Sequence, residues 1–146
     1  MQTTLTKEFI DEITQWRHEL HQYPETAFEE FKTGDFIASK LESFGLKVHR
    51  GLAKTGVVAT LNENSTSKAI GLRADMDALD IHEENAHSHI SQYDNKMHAC
   101  GHDGHMVMLL GAAKFLSEDK NFTGKIHFIF QPAEENVAGG KVMIDD

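Results

Sequence analysis

The chain has almost no cysteine, little proline and no long apolar run. One cysteine among 146 residues rules out an intrachain disulfide framework and fits a reducing compartment. The longest apolar stretch, MVMLLGAA at 106–113, falls far short of the ~20 residues that span a bilayer. Positive charge is scarce as well: 14 Lys and Arg against 23 Asp and Glu give a formal net charge of −9. That balance is unlike a nucleic-acid binder, which shows a basic stripe along its phosphate-tracking face. The opening MQTTLTKEF carries neither the basic nor the apolar region of a secretory leader. The expectation is a soluble, cytoplasmic, single-domain chain without nucleic-acid or membrane partners.

What is present is a helix-rich start followed by strand-rich texture. Phe9, Ile10, Ile13, Trp16 and Leu20 recur at helical spacing over 6–22. Pro24 stops that helix at Tyr23, because proline disfavours helical geometry in the residue before it. Thr26 and Glu29 have the spacing of a capping box, which predicts a second helix presenting Phe28, Phe31, Ile37, Leu41 and Phe44 and ending at Gly45. Four short β-rich runs follow: LKVH (46–49), TGVVATL (55–61), AIGLRA (69–74) and KIHFIF (125–130), with a turn at NENSTS (62–67). A third helix is predicted over about 104–116 and a last one from near Val137.

The order α-α-β-β-β-α-β-α predicts an α/β architecture, helices packed on a mixed, partly parallel sheet. AIGLRA, the third helix and KIHFIF read as a right-handed crossover between parallel strands. Ligands of such sheets gather beyond the carboxyl ends of the strands. DMD (75–77) follows the first of these strands and QPAEE (131–135) the second. The connection between them contains MHACGHDGH (97–105), with the single cysteine and three of ten histidines. Three clusters distant in sequence are therefore expected on one rim.

Each cluster has a chemical reading. Cys100 and His102 offer a thiolate and an imidazole, good ligands for a borderline-soft divalent ion, and Gly101 between them permits a tight turn. Glu134 and Glu135 suit a division of labour, one carboxylate on a metal and the other facing water as a base; a plain helix N-terminus is the competing reading. Asp75 and Asp77 alternate at a strand end and can face one side. His98 and His105 are candidates for supporting or substrate-facing roles. His18, His21, His49, His82, His87, His89 and His127 carry no expected role, and HEENAHSHI (82–90) reads as a solvated loop.

WRHELHQYPETAFEE (16–30), TGVVATL (55–61), GLRADMDAL (71–79), MHACGHDGHMVMLLGAA (97–113) and IFQPAEENVAGGKVMIDD (129–146) together resemble the amidohydrolase branch of the M20 metallopeptidase family. That branch includes hippurate hydrolase, N-acyl-amino-acid amidohydrolases and auxin-conjugate hydrolases. The resemblance implies a zinc-peptidase-like catalytic domain holding two divalent ions (zinc, manganese, cobalt or nickel). It implies that Cys100, His102 and Glu135 bind metal, that Glu134 serves as general base and then acid, and that Asp77 orients its neighbours. The implied reaction is hydrolysis of the amide bond of an N-acyl amino acid by metal-activated water.

Two departures accompany it. Asp80 stands where the family has proline after the DAL sequence. Family members are also much longer, with a lid or dimerisation domain, a second half of the catalytic domain and two further histidine ligands. The expectation is therefore that 1–146 corresponds to an N-terminal segment of the catalytic domain, inactive by itself and prone to homo-oligomerise. A non-catalytic metal-binding remnant or interaction module is the alternative.

Overall fold

Thr6 opens the first helix by accepting the Phe9 N–H on its Oγ1 at 3.2 Å, which satisfies one of the free donors every helix start leaves. The computed structural model describes residues 5–118 and 121–146, with the side chains of 136 and 137 excepted. Residues 1–4, part of the stretch read as lacking a secretory leader, lie outside the described residues. Helix α1 (Lys7–Gln22) ends as expected at Tyr23, ahead of Pro24. It buries Trp16, Leu20 and His21, while Ile10 of the predicted apolar stripe faces solvent.

Helix α2 (Phe31–Ser43) starts later than its predicted cap. Thr26 and Glu29 form no capping box; the Glu29 N–H donates to the Thr26 carbonyl at 2.8 Å, closing a turn. Phe28 sits before the helix at φ 60, and Phe31 is exposed, so neither joins the apolar face. The reason lies in Glu30. It occupies the cap position, but its carboxylate turns inward, accepting from Thr55 Oγ1 at 2.6 Å and the Ala133 N–H at 2.9 Å. The free first-turn donors go instead to Glu25, whose Oε2 accepts the Thr33 N–H at 2.8 Å and the Thr33 hydroxyl at 2.9 Å. Ile37, Ala38 and Leu41 are fully buried, and Gly45 closes the helix at φ 77 as expected.

The four strands are β1 (Lys47–Leu52), β2 (Gly56–Leu61), β3 (Ala69–Asp75) and β4 (Lys125–Gln131), in the spatial order β1-β2-β4-β3. β2 runs antiparallel to β1 and β4, whereas β3 and β4 are parallel. The period of two is visible in the core: Val57, Ala59 and Leu61 lie opposite Phe130, Phe128 and Ile126, and all six are buried. Helix α3 (His102–Glu118) joins β3 to β4 and adds Met106, Leu110 and Ala113 to the same core as Trp16, Ile37 and Leu41. The predicted last helix begins earlier, at Glu134, as the four-residue α4 (Glu134–Val137). A left-handed Ala138 at φ 52 separates it from α5 (Gly139–Asp145). Among the described residues no helix is long and apolar enough to cross a membrane.

The cap exchange is testable by urea unfolding. Glu25→Ala removes the acceptor of the α2 first turn and is expected to cost about 0.5–2 kcal/mol, the usual range for a lost N-terminal cap. Glu29→Ala, at an exposed side chain, is expected to leave the midpoint within about 0.5 kcal/mol. The reverse ranking would restore the capping box.

Candidate metal centre

The parallel ladder sets the rim of the site, because β3 and β4 end level with Asp75 opposite Gln131. The Met76 N–H extends the pairing by donating to the Gln131 carbonyl at 2.9 Å. DMD and QPAEE therefore emerge side by side. The loop before α3 meets them through Gly101, whose φ of 90 is a conformation other residues rarely adopt. Cys100, His102 and Glu135 come together here, with one ligand atom from each lying within 4.8 Å of the others.

Asp77 organises this cluster. It is 1% exposed, and its backbone carbonyl accepts His102 Nδ1–H at 2.8 Å. Its Oδ2 accepts the Glu135 N–H at 3.0 Å, and its Oδ1 lies 3.3 Å from His102 Nδ1. A carbonyl can only accept, so Nδ1 carries a ring proton and Nε2 is the nitrogen turned toward the acids. His102 Nε2 stands 3.8 Å from Glu135 Oε1 and 4.0 Å from Glu134 Oε2. Burial works against ionisation of Asp77. His102 and the N–H groups of Glu135 and Glu134 nevertheless hold it below its ordinary value of 3.8. Asp77 in turn lifts His102 to about 9 against the effect of burial. Cys100 is pushed up to about 11 by a hydrogen bond to Glu135, by burial and by the nearby charges of Glu134 and Asp75.

The two glutamates occupy the first turn of α4, the competing arrangement to an extended pair, yet their side chains differ. Glu135 is 19% exposed and Glu134 43%. Glu135 Oε1 is buried without a hydrogen-bond partner among the described residues. A thiol, an imidazole with Nε2 turned toward the cluster and an unsatisfied carboxylate oxygen fit a divalent ion of the zinc type. Asp75 leans on Arg73, although a ligand atom of Asp75 also falls within 4.8 Å of His102 and His105. His105 is exposed, its ring 5.4 Å from that of His102. His98 is 4% exposed, its ring 6.4 Å from that of His21. Asp80, in place of the expected proline, accepts from Lys96 Nζ at 3.2 Å.

Three residues without an expected role prove buried. Glu30 fixes the turn before Glu134 through its bond to the Ala133 N–H; its only signal in sequence is its place in PETAFEE. His21 joins Asp103, the residue after His102, to Glu83. Glu83, in the segment read as a solvated loop, is 6% exposed. Nothing in the spacing of 21, 83 and 103 reveals that they meet.

Residues 71–146, just over half of the chain, match the family described as Peptidase family M20/M25/M40, and the chain belongs to it. It is 46% identical over 145 residues to hippurate hydrolase of Campylobacter jejuni, covering 97% of this chain and 38% of that protein. It is 45% identical over 138 residues to N-acyl-L-amino acid amidohydrolase of Geobacillus stearothermophilus, covering 93% and 37%. A dinuclear metal-binding M20 peptidase of Bacillus subtilis superposes with a TM-score of 0.91 at 36% identity, over 96% of this chain and 40% of that one. The chain thus spans two fifths or less of the length of these relatives.

The buried acids imply a defined response to pH. Burial opposes ionisation of Glu83, but bonds from Asn85, the Ser91 N–H and His21 draw it from its ordinary 4.5 to about 2. A depressed carboxylate contributes stability that is present above pH 4.5 and lost as pH falls toward 2. Glu83→Gln should therefore lower stability at neutral pH and flatten the acid limb between those values, read from chemical unfolding at a series of pH values. An acid limb as steep as that of the unaltered chain would remove Glu83 from this role.

Proposed function

We propose that this chain is the N-terminal segment, residues 1–146, of the catalytic domain of a metal-dependent hydrolase that cleaves the amide bond of N-acyl amino acids. The observation that carries the reading is the convergence of Cys100, His102 and Glu135 within 4.8 Å at the level ends of two parallel strands, with Glu134 alongside. The substrate class follows from the relatives named hippurate hydrolase and N-acyl-L-amino acid amidohydrolase. The dinuclear M20 peptidase supports a site for two divalent ions, zinc, manganese, cobalt or nickel.

Cys100 Sγ, His102 Nε2 and Glu135 Oε1 would hold the ion. When bound, it supplies Lewis acidity toward the amide carbonyl and lowers the pKa of water. The rest falls to the chain's own groups. Glu134, the more exposed carboxylate, takes the proton of the attacking water and returns it to the departing amine. Asp77 holds the His102 ring by Nδ1, which leaves Nε2 as the nitrogen that would meet the ion. The products are a carboxylic acid and an amino acid. β3 forms one edge of the four-stranded sheet, with Ile70 55% exposed, and an unpaired edge of this kind favours self-association. A homo-oligomer in the cytoplasm is the setting we propose.

Calorimetric titration with zinc tests the ligands. The 146-residue chain should bind zinc, Cys100→Ser should bind it at least tenfold more weakly, and Asp77→Asn should lose roughly ten- to hundredfold through misorientation of His102. Identical curves for the chain and Cys100→Ser would sink the ligand set. A second experiment addresses turnover. The chain alone should not hydrolyse N-acyl amino acids appreciably with added zinc, manganese or cobalt, since three protein ligands do not hold two ions at the ~3.5–4 Å separation that two-metal catalysis uses. Brisk turnover would show that His98 or His105 completes the site.

A further inference from the structure

The segment 82–91 folds back onto α1 and builds a second cluster behind Asp103. Glu83 Oε1 lies 3.0 Å from His21 Nε2 and 3.1 Å from His87 Nε2, and all three atoms fall within 4.8 Å of one another. Two donors 2.0–2.1 Å from a tetrahedral zinc ion stand about 3.3 Å apart, so a cation needs only a small adjustment of both spacings. His21 is aimed as a ligand. Its Nδ1 donates to Asp103 Oδ2 at 2.9 Å, and that oxygen also accepts from Arg17 Nε at 3.1 Å. A carboxylate holding the far nitrogen of a ring is the arrangement that orients histidines on metals.

The surroundings point the same way. His89 stacks between His18 and His87, with ring centroids 3.7 and 3.9 Å apart. Burial, and then the neighbouring His18 and His87 rings, disfavour positive charge on His89. His87 Nδ1, His89 Nδ1 and both nitrogens of His98 are buried without hydrogen-bond partners among the described residues, a costly condition unless bound water or an ion supplies them. The His87 side chain is 34% exposed and leaves a path for entry. An ion pair between protonated His21 and its two carboxylates accounts for Asp103 and Glu83, but leaves His87, on the same Glu83 oxygen, without a role.

We propose that His21 Nε2, Glu83 Oε1 and His87 Nε2 form a second divalent-cation site, of zinc type by its two imidazoles and one carboxylate. Water takes the fourth position, and the cation clamps 82–91 against α1. The site is independent of the Cys100 cluster and touches it only through the neighbours His102 and Asp103, which serve opposite sides of the α3 start.

The test uses the full chain carrying Cys100→Ser and Glu135→Ala, which disables the first cluster and leaves His102 and Asp103 in place. Calorimetry with zinc should give one ion per chain. Cobalt should give visible absorption bands without thiolate-to-metal charge transfer. Adding His87→Ala, at a partly exposed side chain, should weaken zinc binding at least tenfold, and Glu83→Gln should do the same. His82→Ala, an exposed histidine of the same segment, should change nothing. No zinc binding in the disabled chain would overturn the site. So would binding that survives both His87→Ala and Glu83→Gln, or binding that falls equally with His82→Ala.

Discussion

The parallel pairing of β3 and β4, ending level at Asp75 and Gln131, is the constraint on which the site depends. Because side chains alternate along a strand, a slip of one residue would turn Phe128 and Phe130 out of the core and displace both acidic segments from each other. Burial of those two phenylalanines, fully enclosed, stabilises each by roughly 1.5–3 kcal/mol and pins the register. The same register delivers Asp77 to His102 on one side and to the Glu135 N–H on the other. Core packing thereby fixes the geometry of the polar rim.

Buried carboxylates then do the positioning. Burying a charge is costly unless hydrogen bonds or opposite charges meet it, and each of these acids is met by groups from distant parts of the chain. Glu30 links the start of α2 to Thr55 and to the turn before Glu134. Burial pushes its carboxyl above the ordinary value, against the pull of those bonds. Asp103 is drawn down to about 2, where burial is outweighed by His21, His98, Arg17 and the Gly104 N–H. His102 and Asp103 are consecutive, yet one faces the cysteine and the other faces His21. A single turn of α3 therefore serves two histidine-containing clusters.

Membership of the M20 family fits this arrangement, in which the candidate ligands sit in a loop and in the first turns of α3 and α4, and a plain apolar core holds these segments in place. Matching less than two fifths of the relatives' length, the chain nonetheless contains the whole crossover from β3 through α3 to β4. That unit, with the turn into α4 that follows it, assembles the Cys100, His102 and Glu135 group.

The sequence by itself determined the local elements and the chemistry of the rim. Short β-rich runs marked the strands, Pro24 and Gly45 marked the helix ends, and the strand-end positions of DMD and QPAEE led to the expectation of Asp77, Glu134 and Glu135 near Cys100 and His102. These features are readable because they depend on residues close in sequence or on the simple rule that parallel strands end together. Tertiary structure alone decided the rest. Glu25 replaced the Thr26–Glu29 capping box because Glu30 was drawn inward to Thr55 and Ala133, residues 25 and 103 positions away. His21, Glu83 and Asp103 meet across separations of 62 and 82 residues, and His87 reaches Glu83 only because 82–91 folds back on α1. Such pairings leave no periodic trace in sequence. A buried charge takes its partners from whatever the packed chain brings within hydrogen-bond reach.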